Sequence, residues 1–188
     1  TGNHLPSQQC SFKITTKAQT INPYKELEKG RSFKSACLKC AACLVVAENI
    51  NKIFMDIYYK ELSDGQQQRA NYLCQILRRL CSTGFKNYDL REFDGNRLIT
   101  KSSTSNTHVN SEMNGKWTKI LRSLCKIYIH HLPINHILQK YKIGTINITE
   151  HICNGDGIFR DCGNLNVKQR ETIHTEIDLN SKGNITCI

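Results

Sequence analysis

The chain has 188 residues, with 26 Lys or Arg against 16 Asp or Glu, so its formal net charge is +10. This length fits one domain with tails, and no apolar run approaches the roughly 20 residues of a membrane-spanning helix, so we expect a soluble chain without a transmembrane segment. The positive charge favours acidic partners such as anionic lipid heads, sulfated glycans or acidic protein faces, whereas no reading motif points to nucleic acid.

Residues 1–35 are polar and aperiodic, and they are predicted to form an N-terminal arm that Cys10 ties to the body. From Ala36 onward, apolar residues recur at helical spacing and predict one long helix that ends near Leu62. Its buried stripe consists of Ala47, Ile50, Phe54 and Ile57. A second helix is predicted over residues 66–82, with Gly84 as its stop signal.

Residues 85–100 mix aromatic, acidic and basic positions, and we interpret them as an ordered loop with one helical turn because strand signals are scarce. Residues 101–115 are rich in Ser, Thr and Asn, which predicts a flexible insertion. A third helix is predicted from Lys116 to His131, and Pro133 begins a fourth that ends at Gly144.

The segment Ile146–Cys153 is predicted to be a last helical or irregular piece, and residues 163–188 form a polar C-terminal arm. The predicted fold is therefore all-α: a helical body over residues 36–162, with an arm on either side.

Ten cysteines in this length suggest disulfide bonds, which persist in oxidising compartments. Two sequons agree with such a location and make Asn147 and Asn184 predicted glycosylation sites. The opening residues 1–9 are polar, so we expect that a signal peptide preceded them and was cleaved. The pattern indicates a protein of the secretory pathway.

The motif Cys40-Ala41-Ala42-Cys43 has two interpretations. A C-x-x-C at a helix N-terminus has a lowered thiol pKa in thioredoxin-like enzymes, where it follows a strand and exchanges disulfides. Nothing upstream of Cys40 indicates such a strand, so the sequence favours structural bonds and keeps a thiol–disulfide oxidoreductase as the alternative enzyme function.

If a terminal segment lies antiparallel beside the first helix, the bonds nest as Cys40–Cys162 and Cys43–Cys153. Cys81, at the end of the second helix, then meets Cys125 in the third. Spacing alone does not fix connectivity, so this pairing is a hypothesis.

This six-cysteine arrangement resembles the saposin-like helical fold, and further motifs between residues 36 and 162 resemble the canopy and marginal-zone B-cell protein family. The matching stretches are Cys40–Cys43 with Val45–Ala47, Cys81, Tyr88–Glu92, Arg97–Thr100, Leu124–Cys125 with Tyr128, Ile137–Gly144, Cys153 and Cys162. The resemblance implies a co-chaperone of the endoplasmic reticulum, which assists immunoglobulin chains or receptors alongside a large chaperone.

The chain departs from that family in its extra cysteines and its ending. Cys37 is expected to bond Cys74, and Cys10 is expected to bond Cys187, unless one of the outer cysteines bonds a partner chain. The sequence ends in Asn184–Ile188, without the Lys-Asp-Glu-Leu type of retrieval signal that family members usually carry. Residence in the lumen and export therefore both stay open.

A basic stripe follows the third helix, with four cations spaced every three or four residues beside the only tryptophan. These residues are Lys116, Trp117, Lys119, Arg122 and Lys126. The stripe is interpreted as a solvated face that could contact lipid heads, and Trp117 as either a core residue or a partner anchor.

Three histidines, His130, His131 and His136, cluster near the end of that helix. Adjacent helix positions point about 100° apart, so His130 and His131 do not readily share one ion, and we expect surface histidines and no metal site. A pH-sensing role stays open for them. No nucleotide-binding fingerprint occurs either, and no cofactor is expected.

The sequence therefore favours a protein-binding co-chaperone for secreted or cell-surface clients over an enzyme. A secreted ligand or lipid-interacting protein on the same scaffold is the first alternative. Oxidoreductase activity through Cys40 and Cys43 is the second.

Overall fold

The structure is a computed structural model that describes Cys10 and residues 36–59, 66–93, 96–101, 110–111, 115–154, 162–163 and 186–187. Most of the described residues are helical, as the sequence predicts. The helices are α1 (Ala36–Tyr59), α2 (Gln66–Thr83), α3 (Lys116–His131), α4 (Ile134–Lys142) and α5 (Ile148–Cys153). None of the described helices is long and apolar enough to cross a lipid bilayer.

Helix α1 is the centre of the body, because α3, α4 and α5 all pack against it. Its predicted stripe is buried: Ala47, Ile50 and Phe54 are fully inaccessible to solvent and Ile57 nearly so. Burial of each large apolar side chain contributes roughly 1.5–3 kcal/mol, so this stripe is a main source of stability. The structure describes this helix as far as Tyr59, and the predicted end at Leu62 lies outside the described residues.

Helix α2 ends beside the predicted glycine. The Gly84 amide donates to the Leu80 carbonyl oxygen over 2.8 Å, and a Cβ atom at Gly84 would collide with that oxygen. Phe85 and Asn87 then adopt left-handed φ angles of 58° and 67°, which turn the chain away from the helix. The Phe85 ring is buried, and its packing holds this uncommon backbone in place.

A β-hairpin follows where the sequence analysis placed a loop with a helical turn, so that interpretation is wrong. Strands β1 (Tyr88–Phe93) and β2 (Asn96–Lys101) pair antiparallel, with Leu90 opposite Ile99. Both of these side chains are buried, so the hairpin covers the helical body with an apolar pair. The side-chain pattern alternates too briefly to predict strands, but Asp94-Gly95 between the strands is a strong hairpin signal.

Two short strands extend the sheet in the order β3-β1-β2-β4. Strand β3 (Asn110–Ser111) pairs with β1 and belongs to the predicted insertion, whose residues 102–109 and 112–114 lie outside the described part. Strand β4 (Thr186–Cys187) pairs with β2 and belongs to the predicted C-terminal arm. Part of the predicted insertion and part of the predicted C-terminal arm are therefore paired with the hairpin. The structure does not test the predicted boundaries of the helical body.

Three disulfides in the described residues match the pairing that was predicted from nested, antiparallel packing. Cys40 is bonded to Cys162 and Cys43 to Cys153, with Cα–Cα distances of 4.5 and 6.0 Å, and these bonds fasten the end of the body to α1. Cys81 of α2 is bonded to Cys125 of α3 at a Cα–Cα distance of 5.2 Å. Such bonds are consistent with a secreted or lumenal protein.

The fourth disulfide differs from both of the expected outer pairs. Cys10 is bonded to Cys74 of α2, at a Cα–Cα distance of 5.5 Å, so Cys10 does tie the N-terminal arm to the body. The expected bonds Cys37–Cys74 and Cys10–Cys187 are wrong, because Cys10 and Cys74 are bonded to each other. The arm has no periodicity from which its position against α2 could be predicted, and the side chains of Cys37 and Cys187 lie outside the described part.

Candidate functional site

The C-x-x-C pair is buried and fully bonded. Cys40 and Cys43 are 1% and 0% exposed, and each is bonded to a different distant cysteine rather than to the other. A dithiol that exchanges disulfides needs an accessible thiolate with a bonding partner nearby in its motif. In this structure the pair instead fastens α1 to the terminal segments, and it presents no thiol to a substrate.

The basic stripe of α3 separates into exposed cations and a buried tryptophan. Lys116, Lys119 and Lys126 are exposed, Arg122 is half-buried and Trp117 is completely inaccessible. Of the two interpretations of Trp117, the core residue is right and the partner anchor is wrong. Trp117 lies one turn before Leu121 on the inner face of the helix, whereas the lysines lie on its outer face.

Arg122 closes the end of a neighbouring helix. Its Nε donates to the Gly84 carbonyl oxygen over 2.8 Å, and its Nη2 donates to the Thr83 carbonyl oxygen over 3.1 Å. Carbonyl groups at a helix C-terminus have no partner within the helix and carry the negative end of the helix dipole. Arg122 therefore joins α3 to the end of α2, so the centre of the basic stripe is a structural contact rather than a mobile cation.

The beginning of α3 is fixed against the hairpin. The Thr118 hydroxyl donates to the carbonyl oxygens of Phe85 (3.0 Å) and Tyr88 (3.3 Å). The buried Asp89 accepts from the Leu90 amide over 3.1 Å and from the Gly115 amide, just before α3, over 3.4 Å. A carboxylate at a helix N-terminus is stabilised by the amides there, so Asp89 orders this junction.

The structure also exposes a set of aromatic rings that sequence analysis missed. Tyr58 and Tyr59 at the end of α1 are 48% and 74% exposed, and their ring centroids are 5.3 Å apart. Tyr141 of α4 lies 6.1 Å from Tyr58, and its ring packs on the buried Phe54 at 5.6 Å. We call Tyr58, Tyr59 and Tyr141 the tyrosine patch.

Two further apolar side chains flank the tyrosine patch. Met55, 40% exposed, lies one turn before Tyr58 and Tyr59 on α1, and Ile143, 72% exposed, follows Tyr141 by two residues. Burial raises the pKa of the Tyr141 phenol, and the neighbouring Tyr59 and Tyr58 raise it further. The Tyr141 phenol is therefore uncharged near pH 7 and adds no negative charge to the patch.

A sequence signal for this patch existed in part. Adjacent tyrosines at a helix end, followed by polar residues, are typical of rings that are only half covered. The predicted stripe of α4 includes Tyr141, but sequence spacing does not reveal that α4 ends beside the end of α1.

The histidines do not form a metal site in the described residues, where no group of three suitable side chains converges. His131 and His136 are exposed, and His130 is half-buried with its ring 5.1 Å from that of His131 in an edge-on contact. Burial lowers the pKa of His131, and the neighbouring His130 lowers it further. Protonation of His131 is thereby opposed, which weakens the case for His131 as a pH sensor.

One of the two predicted glycosylation sites lies in the described residues. Asn147 is exposed and caps α5, where its Oδ1 accepts from the Glu150 amide over 3.1 Å. An N-linked sugar attaches to the other amide atom, Nδ2, so capping and glycosylation are compatible. Asn184 lies outside the described part of the chain.

The comparisons with known proteins do not assign the chain to a family. No protein-family model matches it, and neither a curated protein nor a solved structure is similar enough to count as a match. The functional argument therefore depends on the tyrosine patch, the exposed cations and the disulfides.

Proposed function

We propose that this chain is a lumenal or secreted co-chaperone that binds apolar segments of incompletely folded secretory proteins. The single observation that carries the proposal is the tyrosine patch, an exposed aromatic cluster on a disulfide-fastened helical body. The motif resemblance to the canopy and marginal-zone B-cell protein family supports the same function, with a large chaperone of the reticulum as a further partner. In that proposal the fold is saposin-like.

The patch has the properties of a binding surface for apolar chain segments. Exposed apolar side chains that occur singly need no explanation, whereas contiguous ones mark interaction sites. Tyrosine is favoured at such sites because its ring offers a large apolar area with few rotatable bonds and its hydroxyl tolerates water. Contact of Tyr141 with Phe54 restricts the ring before any partner arrives, which reduces the entropy lost on binding.

Charge around the patch favours a client segment with acidic flanks. Helix α4 contains Lys140 and Lys142 on either side of Tyr141 and has no acidic residue. On α1, Lys52 and Asp56 precede the tyrosines and balance each other. The net field at the patch is therefore positive, and it steers apolar segments that carry Asp or Glu.

The test uses Tyr59, because this side chain is 74% exposed and its removal should leave the fold intact. We expect Tyr59→Ala to weaken binding of reduced, carboxymethylated lactalbumin, a permanently unfolded probe, by about tenfold, since a central aromatic residue commonly contributes more than about 1 kcal/mol. Fluorescence anisotropy of the labelled probe measures the dissociation constant.

The matched control is Tyr72→Ala, which removes another exposed tyrosine (42%), on α2 and outside the patch. It should leave the dissociation constant within twofold. A second comparison uses two peptides with the same apolar centre, flanked by Glu or by Lys, and the Glu-flanked peptide should bind more tightly. Equal weakening by both variants, or no binding of the unfolded probe to the unaltered protein, would exclude the patch as a client site.

A further inference from the structure

Charge is distributed unevenly over the helices of this protein. Helices α2 and α3 contain seven Lys or Arg residues and no Asp or Glu. Helix α1, in contrast, balances Lys39 and Lys52 with Glu48 and Asp56. Because the Cys81–Cys125 disulfide holds α2 and α3 side by side, their positive charges add on one region of the surface.

Contacts around Arg122 show which cations converge. Arg122 touches the carbonyl oxygens of Thr83 and Gly84, while Arg79 lies one helical turn before Thr83 on α2. Lys86 follows Gly84 by two residues, in the turn whose Phe85 carbonyl accepts from Thr118. On α3, Lys119 lies about one turn before Arg122, Lys116 nearly two turns before it, and Lys126 one turn after it. We call this set the basic seam: Arg79, Lys86, Lys116, Lys119, Arg122 and Lys126.

The seam is exposed and lacks apolar side chains. Arg79, Lys86, Lys116, Lys119 and Lys126 are exposed. The exposed large apolar side chains among the described residues are Met55, Tyr58, Tyr59, Tyr72 and Ile143, so α3 contributes none. Helices that insert into a membrane surface present Trp, Phe or Leu beside their cations, and here Trp117 is turned into the core.

We propose that the basic seam binds a linear sulfated polysaccharide. The seam presents cations without exposed large apolar side chains, and this combination fits a hydrated polyanion better than a lipid surface. Lys119 and Lys126 are about 10 Å apart along α3, and Lys116 lies on the same helix, so successive sulfate groups of one chain meet successive cations. Sulfated polysaccharides occupy the same oxidising compartments as disulfide-bonded proteins, which nucleic acids do not.

The test compares two double variants that remove equal charge. Lys119→Gln with Lys126→Gln removes two cations of the seam, whereas Lys140→Gln with Lys142→Gln removes two cations of α4. We expect the seam variant to bind heparin about five- to tenfold more weakly in 0.15 M salt and the α4 variant to stay within twofold, as measured by titration calorimetry. The slope of log affinity against log salt should also decrease in the seam variant alone, because fewer counterions are displaced.

Chemically desulfated heparin and vesicles that contain phosphatidylserine separate the ligand classes. Desulfated heparin should bind at least tenfold more weakly than heparin. The vesicles should also bind more weakly than heparin at equal charge concentration. Equal losses in the two double variants would show a general charge effect and overturn the site. Preferential binding to vesicles would assign the seam to a membrane instead.

Discussion

The tyrosine patch and the basic seam place aromatic rings and cations in opposite ways. At the ends of α1 and α4, the rings of Tyr58 and Tyr59 face solvent, and the half-buried ring of Tyr141 lies beside Tyr58. On α3, the aromatic ring of Trp117 is completely buried, whereas the neighbouring lysines face solvent. One surface thus offers apolar area and the other offers charge.

This difference separates two kinds of partner by their response to salt. Binding through apolar area is strengthened slightly or unchanged by salt, whereas binding through exposed charge weakens as salt screens it. The two surfaces also lie on different elements, so a client and a polyanion need not compete. Each surface can therefore be tested separately. The largest expected effect comes from Trp117, whose burial distinguishes the basic seam from the tyrosine patch.

Replacement of Trp117 should have the largest effect on stability. Trp117→Ala removes a fully buried ring, and such truncations cost about 3–5 kcal/mol through lost burial and the cavity that remains. Urea unfolding followed by circular dichroism measures the loss. The exposed Tyr72→Ala should change the free energy of unfolding by less than about 0.5 kcal/mol. If Trp117→Ala left the free energy of unfolding nearly unchanged, Trp117 would not be a buried core residue, and the contrast between the two surfaces would be wrong.

Trp117 also shows what helical periodicity can predict. The pattern of α3 places Leu121, Leu124 and Tyr128 inside and its lysines outside, and the structure agrees. A residue beside a cation at the border of such a stripe can face either inward or outward, and only the elements packed against α3 decide between the two orientations. Sequence reasoning therefore found the cations of the candidate site but left the role of its tryptophan open.

The hairpin and the tyrosine patch were not predicted, for a related reason. Strands β1 and β2 each have six residues, and charged positions interrupt their alternation, so the local pattern is weak and the Asp94-Gly95 turn was the main signal. The patch arises where the ends of α1 and α4 meet. Neither contact is encoded in a local period, whereas helices α1 to α4 and the core stripe of α1 are.

Removal of individual disulfides should sharpen the comparison next, because one joins α2 to α3, the helices of the basic seam, and two fasten α1, the helix that carries Tyr58 and Tyr59. Cys81–Cys125 closes a segment of 44 residues, which by chain entropy stabilises the fold by about 4 kcal/mol. Cys43–Cys153 lies inside the loop that Cys40–Cys162 already closes, so it adds only a ring of about a dozen residues and about 3 kcal/mol.

We therefore expect Cys81→Ala with Cys125→Ala to lower the free energy of unfolding more than Cys43→Ala with Cys153→Ala does. Denaturant unfolding of both variants, with the remaining bonds verified by peptide mapping after alkylation, provides the measurement. A larger loss in the second variant would contradict the assignment of Cys40–Cys162 as a bond that restrains the same loop.

The smallest expected effect concerns the charge balance of α1, the helix that carries most of the tyrosine patch. Burial raises the pKa of the half-buried Glu48 carboxyl above its usual 4.5, and the Lys52 charge lowers it by less. The folded state therefore binds the proton more tightly than the unfolded state, so this residue makes stability fall as pH rises from 4.5 through the folded-state pKa. Glu48→Gln should match the unaltered protein below pH 4 and become more stable at pH 7, by urea unfolding at each pH. Because Glu48 lies on neither α2 nor α3, heparin binding at pH 7 should not change in this variant. A stability difference between the two proteins that is constant from pH 4 to pH 7 would contradict this expectation. It would mean that the Glu48 carboxylate is as well solvated in the folded state as in the unfolded state.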